Sequence, residues 1–200
     1  MHRNKYNHLF GISLLNAIHP LSNPLKNFLS QRLVSHRFKK GDLIVKSGDM
    51  CDTIHIIRKG TVRGFFDFDK KEITTWVSID GELVTSISGF FKKEAAQENI
   101  QCLEDTFTES LSYSDMDFAI NHYKEMAQLN RILLEHYYVH AEYRALICRI
   151  PGAKERYEYF TKIYNPEIIK RLPKKYLASL LNIRPETLSR ITLADNIVSN

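Results

Sequence analysis

Cysteine is scarce in this chain: three among 200 residues, Cys51, Cys102 and Cys148, widely separated and without a C-x-x-C pair. That spacing excludes a zinc ribbon or a cysteine-ligated cluster and offers no disulfide framework. The thiols are expected to be small buried hydrophobes in a reducing, cytoplasmic setting. Long apolar runs are also missing. Nothing approaches the ~18 consecutive apolar residues of a spanning helix, and residues 1–10 carry no apolar signal core, so neither membrane insertion nor export is expected. The eight histidines include no His-x-His strand pair. His136 and His140 are four apart on an expected helix, but the intervening Tyr-Tyr-Val supplies no general base, so they read as polar residues on a helix face and no metal centre is expected. No Ser-His-Asp order, phosphate loop or paired carboxylates stand out, so no catalytic residue is assigned and the chain is expected not to be an enzyme.

What is present is ordinary for a folded chain: 44% hydrophobic and 26% charged residues. The net charge of +5 is unevenly spread. Residues 1–136 hold 17 Lys/Arg against 17 Asp/Glu, whereas residues 137–200 hold 11 against 6. A basic segment attached to a neutral one suggests a sensing or assembly module joined to one that meets a polyanion, most often nucleic acid.

Residues 1–35 read as a helical lead-in, with Leu25, Phe28, Leu29 and Leu33 at helical spacing after Asn23-Pro24. From about residue 37 to 113 short β-type runs follow one another (42–46, 53–57, 62–66, 72–77, 99–103 and 107–111), punctuated by Gly41, Gly48 and Gly60. Strands at that spacing imply an all-β roll, barrel or sandwich. From residue 114 the period becomes helical, with Ser114 or Asp115 as candidate cap and Phe118, Tyr123, Met126, Leu129, Ile132 and Leu133 in one apolar stripe. A helix over 114–136 could pair with a second copy or lie along the roll. Shorter helices are expected over 139–150 and 153–164, then after Pro166 and Pro173. This gives an α+β chain in three parts: residues 1–113, a connecting helix 114–136, and a helical region 137–200.

Residues 174–191 are the most informative. Leu177, Leu180 and Leu181 mark the buried side of one helix, Ala178 allows a close crossing, and Asn182 suits a tight turn because asparagine tolerates the left-handed conformation. Pro185 fits the first position of the next helix, anchored by Ile183, Leu188 and Ile191. Glu186, Thr187, Ser189 and Arg190 then face outward, able to reach base edges, with Lys174, Lys175 and Arg184 placed for phosphates. That is the pattern of a helix-turn-helix, with an ordinary helical hairpin bearing a polar outer face as the alternative.

Two motifs carry a resemblance to the Crp/Fnr superfamily over residues 25–193. One is Ile44-Val-Lys-Ser-Gly-Asp-Met-Cys-Asp-Thr-Ile-His-Ile-Ile-Arg-Lys-Gly60, similar to the glycine-punctuated signature of cyclic-nucleotide-binding rolls except at His55, where an apolar residue is usual. The other is the helix pair ending Glu-Thr-Leu-Ser-Arg190. The resemblance implies a homodimeric, helix-turn-helix transcription regulator that binds palindromic double-stranded DNA, with RNA polymerase a further candidate partner. It assigns Glu186 and Arg190 to bases, and Thr187 and Ser189 to phosphate or supporting contacts. Pro185 stands where several members carry a reading arginine, so the sequence read should differ.

Gly81-Glu82-Leu83 matches the turn that meets the ribose in nucleotide-binding members. The pair that neutralises the cyclic phosphate, Arg-Ser or Arg-Thr, falls instead on Ala96-Gln97. A buried phosphate without a cation is costly, and no arginine lies between Arg63 and Arg131, so control by cyclic AMP is not expected; what the roll binds is open, the alternatives being another small effector and a ligand-free roll that carries the dimer. Lys92 and Lys93 are expected to project into solvent. Phe65, Phe66, Trp76, Phe90 and Phe91 are expected mainly as core, with a ligand pocket as the alternative. The rival reading is a ligand-binding module that acts through protein contacts and has a vestigial helix pair. Its support is the segment after Ile191, which has no lysine or arginine and predicts a shallow salt slope.

Overall fold

The computed structural model describes residues 9–198, with side chains from 10 to 193. The extreme N-terminus, residues 1–8, and the side chains of the non-basic C-terminal segment from residue 194 onward lie outside it. Two helices lead in, α1 (Leu9–Ile18) and α2 (Asn23–Arg32). Ser22 caps α2 by accepting the Leu25 amide, and Pro24 sits in its first turn.

Eight strands follow: β1 (Val34–Phe38), β2 (Leu43–Val45), β3 (Thr53–Lys59), β4 (Val62–Phe68), β5 (Lys71–Ser78), β6 (Leu83–Val84), β7 (Asn99–Cys102) and β8 (Thr106–Ser112). They form two antiparallel four-stranded sheets, ordered β1-β8-β3-β6 and β2-β7-β4-β5. A short helix, α3 (Ile87–Lys92), lies between β6 and β7. The interior between the sheets is filled by Val45, Ile57, Val62, Val84, Ile100 and Cys102, with Trp76 against them. Trp76 lies across from Gly64 on the paired strand, where any Cβ would run into the indole. The roll is as expected, although β1 and β6 were not anticipated: β1 is polar (Val-Ser-His-Arg-Phe) and β6 has only two residues.

The helical part differs in one respect from a single 114–136 helix. α4 (Tyr113–His122) is capped by Ser112, rather than Ser114 or Asp115, through the Asp115 amide. The chain breaks at Tyr123 (φ −127°, ψ 112°), and α5 (Lys124–Arg149) runs for 26 residues. Neither Pro nor Gly marks this break. Packing does: Tyr123 tilts against Phe28 with centroids 5.7 Å apart, and the Ser22 amide donates to Glu125 at 3.3 Å. The turn delivers Met126 and Leu129 onto α1 and α2. Met126 and Leu129 of the stripe proposed as a pairing face are thereby buried within the chain and Tyr123 and Leu133 half-buried against the same cluster, while Phe118 stays exposed.

A different face of α5 is open. Leu134, Tyr138, Ala141, Ala145 and Cys148 recur at alternating steps of four and three, the spacing of a coiled-coil seam. Tyr138 is 74% exposed and Leu134 42%. Cys148 is exposed, in contrast to the expectation of three buried thiols; Cys51 and Cys102 are buried.

α6 (Ala153–Ile163), α7 (Pro166–Arg171), α8 (Lys174–Leu180) and α9 (Pro185–Val198) complete the described chain. Phe160, Ile168, Leu177 and Leu188 share one apolar cluster with Val77, Ile79 and Leu103 of the roll. The C-terminal helices are therefore packed on the β-roll. Among the described residues no helix is long and apolar enough to cross a membrane.

Candidate DNA-reading helix pair and effector cavity

α8 and α9 cross through the turn 181–184. Asn182 takes a left-handed conformation (φ 50°), and the Ile183 amide returns to the Ala178 carbonyl at 2.9 Å. Leu177, Ala178, Leu181 and Leu188 are buried in the crossing. Lys174, Lys175, Arg184, Glu186 and Arg190 are exposed, and Thr187 and Ser189 are half-buried on the same helix. Lys174 reaches only the Thr192 hydroxyl (3.4 Å) and Arg190 only Thr187 (3.5 Å). None of the four cations has a carboxylate partner among the described residues. A surface with unneutralised cations beside an outward-facing helix start suits a polyanion.

Three arginines hold the pair in place, and none was singled out from sequence. Arg156, buried on α6, donates to the Ile150 carbonyl at the end of α5 (3.1 and 2.8 Å) and to the Leu181 (2.6 Å) and Asn182 (2.8 Å) carbonyls in the turn. It ties two helix C-termini together, where the dipole favours a cation.

Arg63 on β4 is 1% exposed. It donates to Gln101 (3.0 and 2.8 Å) and Thr74 (3.2 Å), pairs with Glu72, and lies between the rings of Phe65 and Tyr176, 4.0 and 3.8 Å from their centroids. Tyr176 belongs to α8. Beside it the Thr74 amide donates to the Ser179 hydroxyl at 3.0 Å. Arg171 on α7 reaches Asp80 (2.8 and 3.1 Å) and pairs with Glu104. Although partial burial pushes the Asp80 carboxyl the other way, the bonds from Arg171 and the Gly60 amide hold it below its ordinary range. The sequence signal for Arg63 was weak: an arginine second in the run Val-Arg-Gly-Phe-Phe, next to a glycine.

A cavity of about 480 Å³ opens between the roll, α5 and the start of α7. Gly81, Glu82 and Leu83 line it, as the sequence placed them in a ligand site; Ala96 and Gln97 do not. Ala96 is buried in the roll interior, its amide and carbonyl engaged with Asp49 and Gly48, and Gln97 is exposed. Lys92 and Lys93 are exposed as expected. Burial raises the Glu82 carboxyl, opposed by the Ser78 hydroxyl. Of the five aromatics, Phe65 and Phe90 are core, Phe66 is half-buried, and Trp76 and Phe91 line the cavity. His136 and His140 also line it. No group of three metal-ligating side chains occurs among the described residues.

A β-roll joined by a long helix to a crossed helix pair defines a two-part architecture, a sheet module coupled to a helical one. Residues 35–123 match the cyclic nucleotide-binding domain family. FixK2 from Bradyrhizobium japonicum superposes with a TM-score of 0.71 at 16% identity, over 84% of this chain and 86% of that one. A CooA variant from Carboxydothermus hydrogenoformans gives 0.69 at 15% identity, over 92% and 84%. A Crp/Fnr-family structure from Eubacterium rectale gives 0.68 at 16%, over 88% and 84%. A search of curated protein sequences finds no significant match. In its fold the chain is of the Crp/Fnr type.

Proposed function

We propose that this protein is a dimeric, DNA-binding transcription regulator of the Crp/Fnr type, whose roll senses a small effector other than cyclic AMP. The observation that carries the reading is the exposed start of α9: Arg184, Glu186 and Arg190 stand on a helix-turn-helix with a left-handed Asn182, beside Lys174 and Lys175, and none of the four cations has a carboxylate partner among the described residues. In the major groove Arg190 can bond guanine bidentately and Glu186 can accept from cytosine, while the lysines position the protein on phosphates. The outward stripe of α5 supports pairing of two copies, which would set two reading helices on one palindrome. Burial of Ala96 and exposure of Gln97 support loss of the cyclic-phosphate site, because neither offers a cation to the roll.

The test is selection from a random duplex-DNA pool at fixed salt, with and without cyclic AMP. The expected result is a two-fold-symmetric site enriched equally in both arms, lost or relaxed at one base pair in Arg190→Ala. Enrichment only with cyclic AMP would overturn the effector reading. No enrichment in either arm, with Arg190→Ala silent, would favour a module acting through protein contacts.

A further inference from the structure

The cavity has two chemically distinct ends. One stripe of α5 lines it throughout: Met126, Asn130, Leu133, Tyr137, His140 and Arg144, at alternating steps of four and three. At 1.5 Å per residue this stripe spans about 27 Å. Toward its start the other walls are apolar, from Leu15 and Ile18 on α1, Ile54 and Ile56 on β3, and Leu111 on β8. Toward its end the walls are Tyr164 and Asn165, from the α6–α7 junction.

Arg144 lies at that polar end beside the phenols of Tyr137 and Tyr164. Among the described residues it has no salt-bridge partner. Glu98 is within electrostatic range, but its carboxylate accepts the Trp76 indole N–H at 2.9 Å. Glu82 is held by Ser78 near the roll. A half-buried guanidinium without a salt-bridge partner among the described residues, framed by two phenols and an imidazole at the end of an apolar channel, has the chemistry of an anion site, although Glu98 acts on Arg144 and Tyr137 and Glu82 on Tyr164 from a distance.

We propose that this cavity binds an amphipathic organic acid, its apolar body lying along α5 against the roll and its monoanionic head held by Arg144 with Tyr137, His140 and Tyr164. The site is separate from the Ala96-Gln97 position. Naming the ligand as the effector rests on the regulator reading; binding itself does not. The head would touch α5 and the α6–α7 junction while the body touches the roll, so the ligand spans the joint between the two parts.

Trp76, the single tryptophan, lines the cavity and reports on it. The experiment titrates the purified full chain with decanoate and with decan-1-ol, reading Trp76 emission, in wild type and in Arg144→Gln. Decanoate should bind about tenfold or more tightly than the alcohol in wild type, because only the anion forms the charge-assisted pair. Arg144→Gln should erase that preference while binding decan-1-ol as before, which also shows that the variant is folded. Equal affinity for acid and alcohol in wild type, a preference that survives in Arg144→Gln, or no change of emission with either ligand would each overturn the proposal. DNA is absent from the assay, so failure of DNA recognition leaves its outcome unaffected.

Discussion

Removing the Arg156 guanidinium should loosen the helix pair from inside. Arg156→Met keeps the stem and its packing but leaves the Ile150, Leu181 and Asn182 carbonyls, and the Pro151 carbonyl reached at 3.4 Å, without the donors they have now. A buried polar group that loses its partner costs about 1–3 kcal/mol, and bonds from a charged donor lie at the upper end. Water can reach the partly buried Ile150 and Asn182 carbonyls, so a total near 3 kcal/mol is expected rather than the sum of the maxima. With a urea dependence of about 2 kcal/mol per molar, the unfolding midpoint should fall by roughly 1.5 M. Arg156→Lys should recover part of this, because one ammonium cannot serve both the end of α5 and the α8–α9 turn. The assay is urea unfolding followed by circular dichroism, with duplex binding in parallel. A midpoint unchanged in Arg156→Met, or Arg156→Lys equal to wild type, would refute the view that this fork ties the two helix ends together.

Acid should weaken the roll through His55, which burial, assisted by neighbouring His36, depresses from 6.5 to about 3. The folded value lies below the unfolded one, so its contribution is present above pH 6.5 and is lost as pH falls, at up to about 1.4 kcal/mol per pH unit; urea midpoints from pH 7.5 to 5 should fall more steeply in wild type than in His55→Gln. Gly64→Ala should displace Trp76, costing about 1–3 kcal/mol by overpacking and shifting its emission, which one spectrum and one melt will decide. Oxidation of the native chain should give a disulfide-linked pair through Cys148, abolished in Cys148→Ser, if the outward stripe of α5 is the seam; a crosslink that persists in that variant would place the contact elsewhere.

The helix-turn-helix and most of the strands were legible because they rest on local chemistry: an asparagine where the turn goes left-handed, a proline that opens α9, glycines between alternating runs. The break at Tyr123 was not, because no helix breaker marks it. Met126 and Leu129 have the spacing of either a pairing face or a core face, and only the position of α1 and α2 decides which. The candidate ligand cavity, partly legible, shows the same limit. Gly81, Glu82 and Leu83 are neighbours in sequence, whereas Arg144 and Tyr164 join them only because α5 and α6 are laid across the roll. Arg63, Arg156 and Arg171 counted in the sequence simply as charge, and their hydrogen-bond partners lie from 5 to 91 residues away.

One short segment joins the cavity to the C-terminal helices. In the turn between β5 and β6, Asp80 grips Arg171 of α7 while Gly81 and Glu82, the next two residues, face the cavity. Gly81 has φ 85°, a conformation that resists side chains and fixes the turn sharply. Arg171 lies just before Pro173 and α8, so the turn bears on α8 and α9 through a two-bond Arg171–Asp80 salt bridge in which the arginine is 21% and the aspartate 45% exposed, worth about 1 kcal/mol. A ligand can shift such an equilibrium only by its differential affinity for the two arrangements. An occupant touching the roll alone would leave the joint indifferent. An occupant touching both the Gly81–Glu82 turn and the α6–α7 junction has different contacts whenever those two move apart, and that geometric requirement is met by the cavity's own walls.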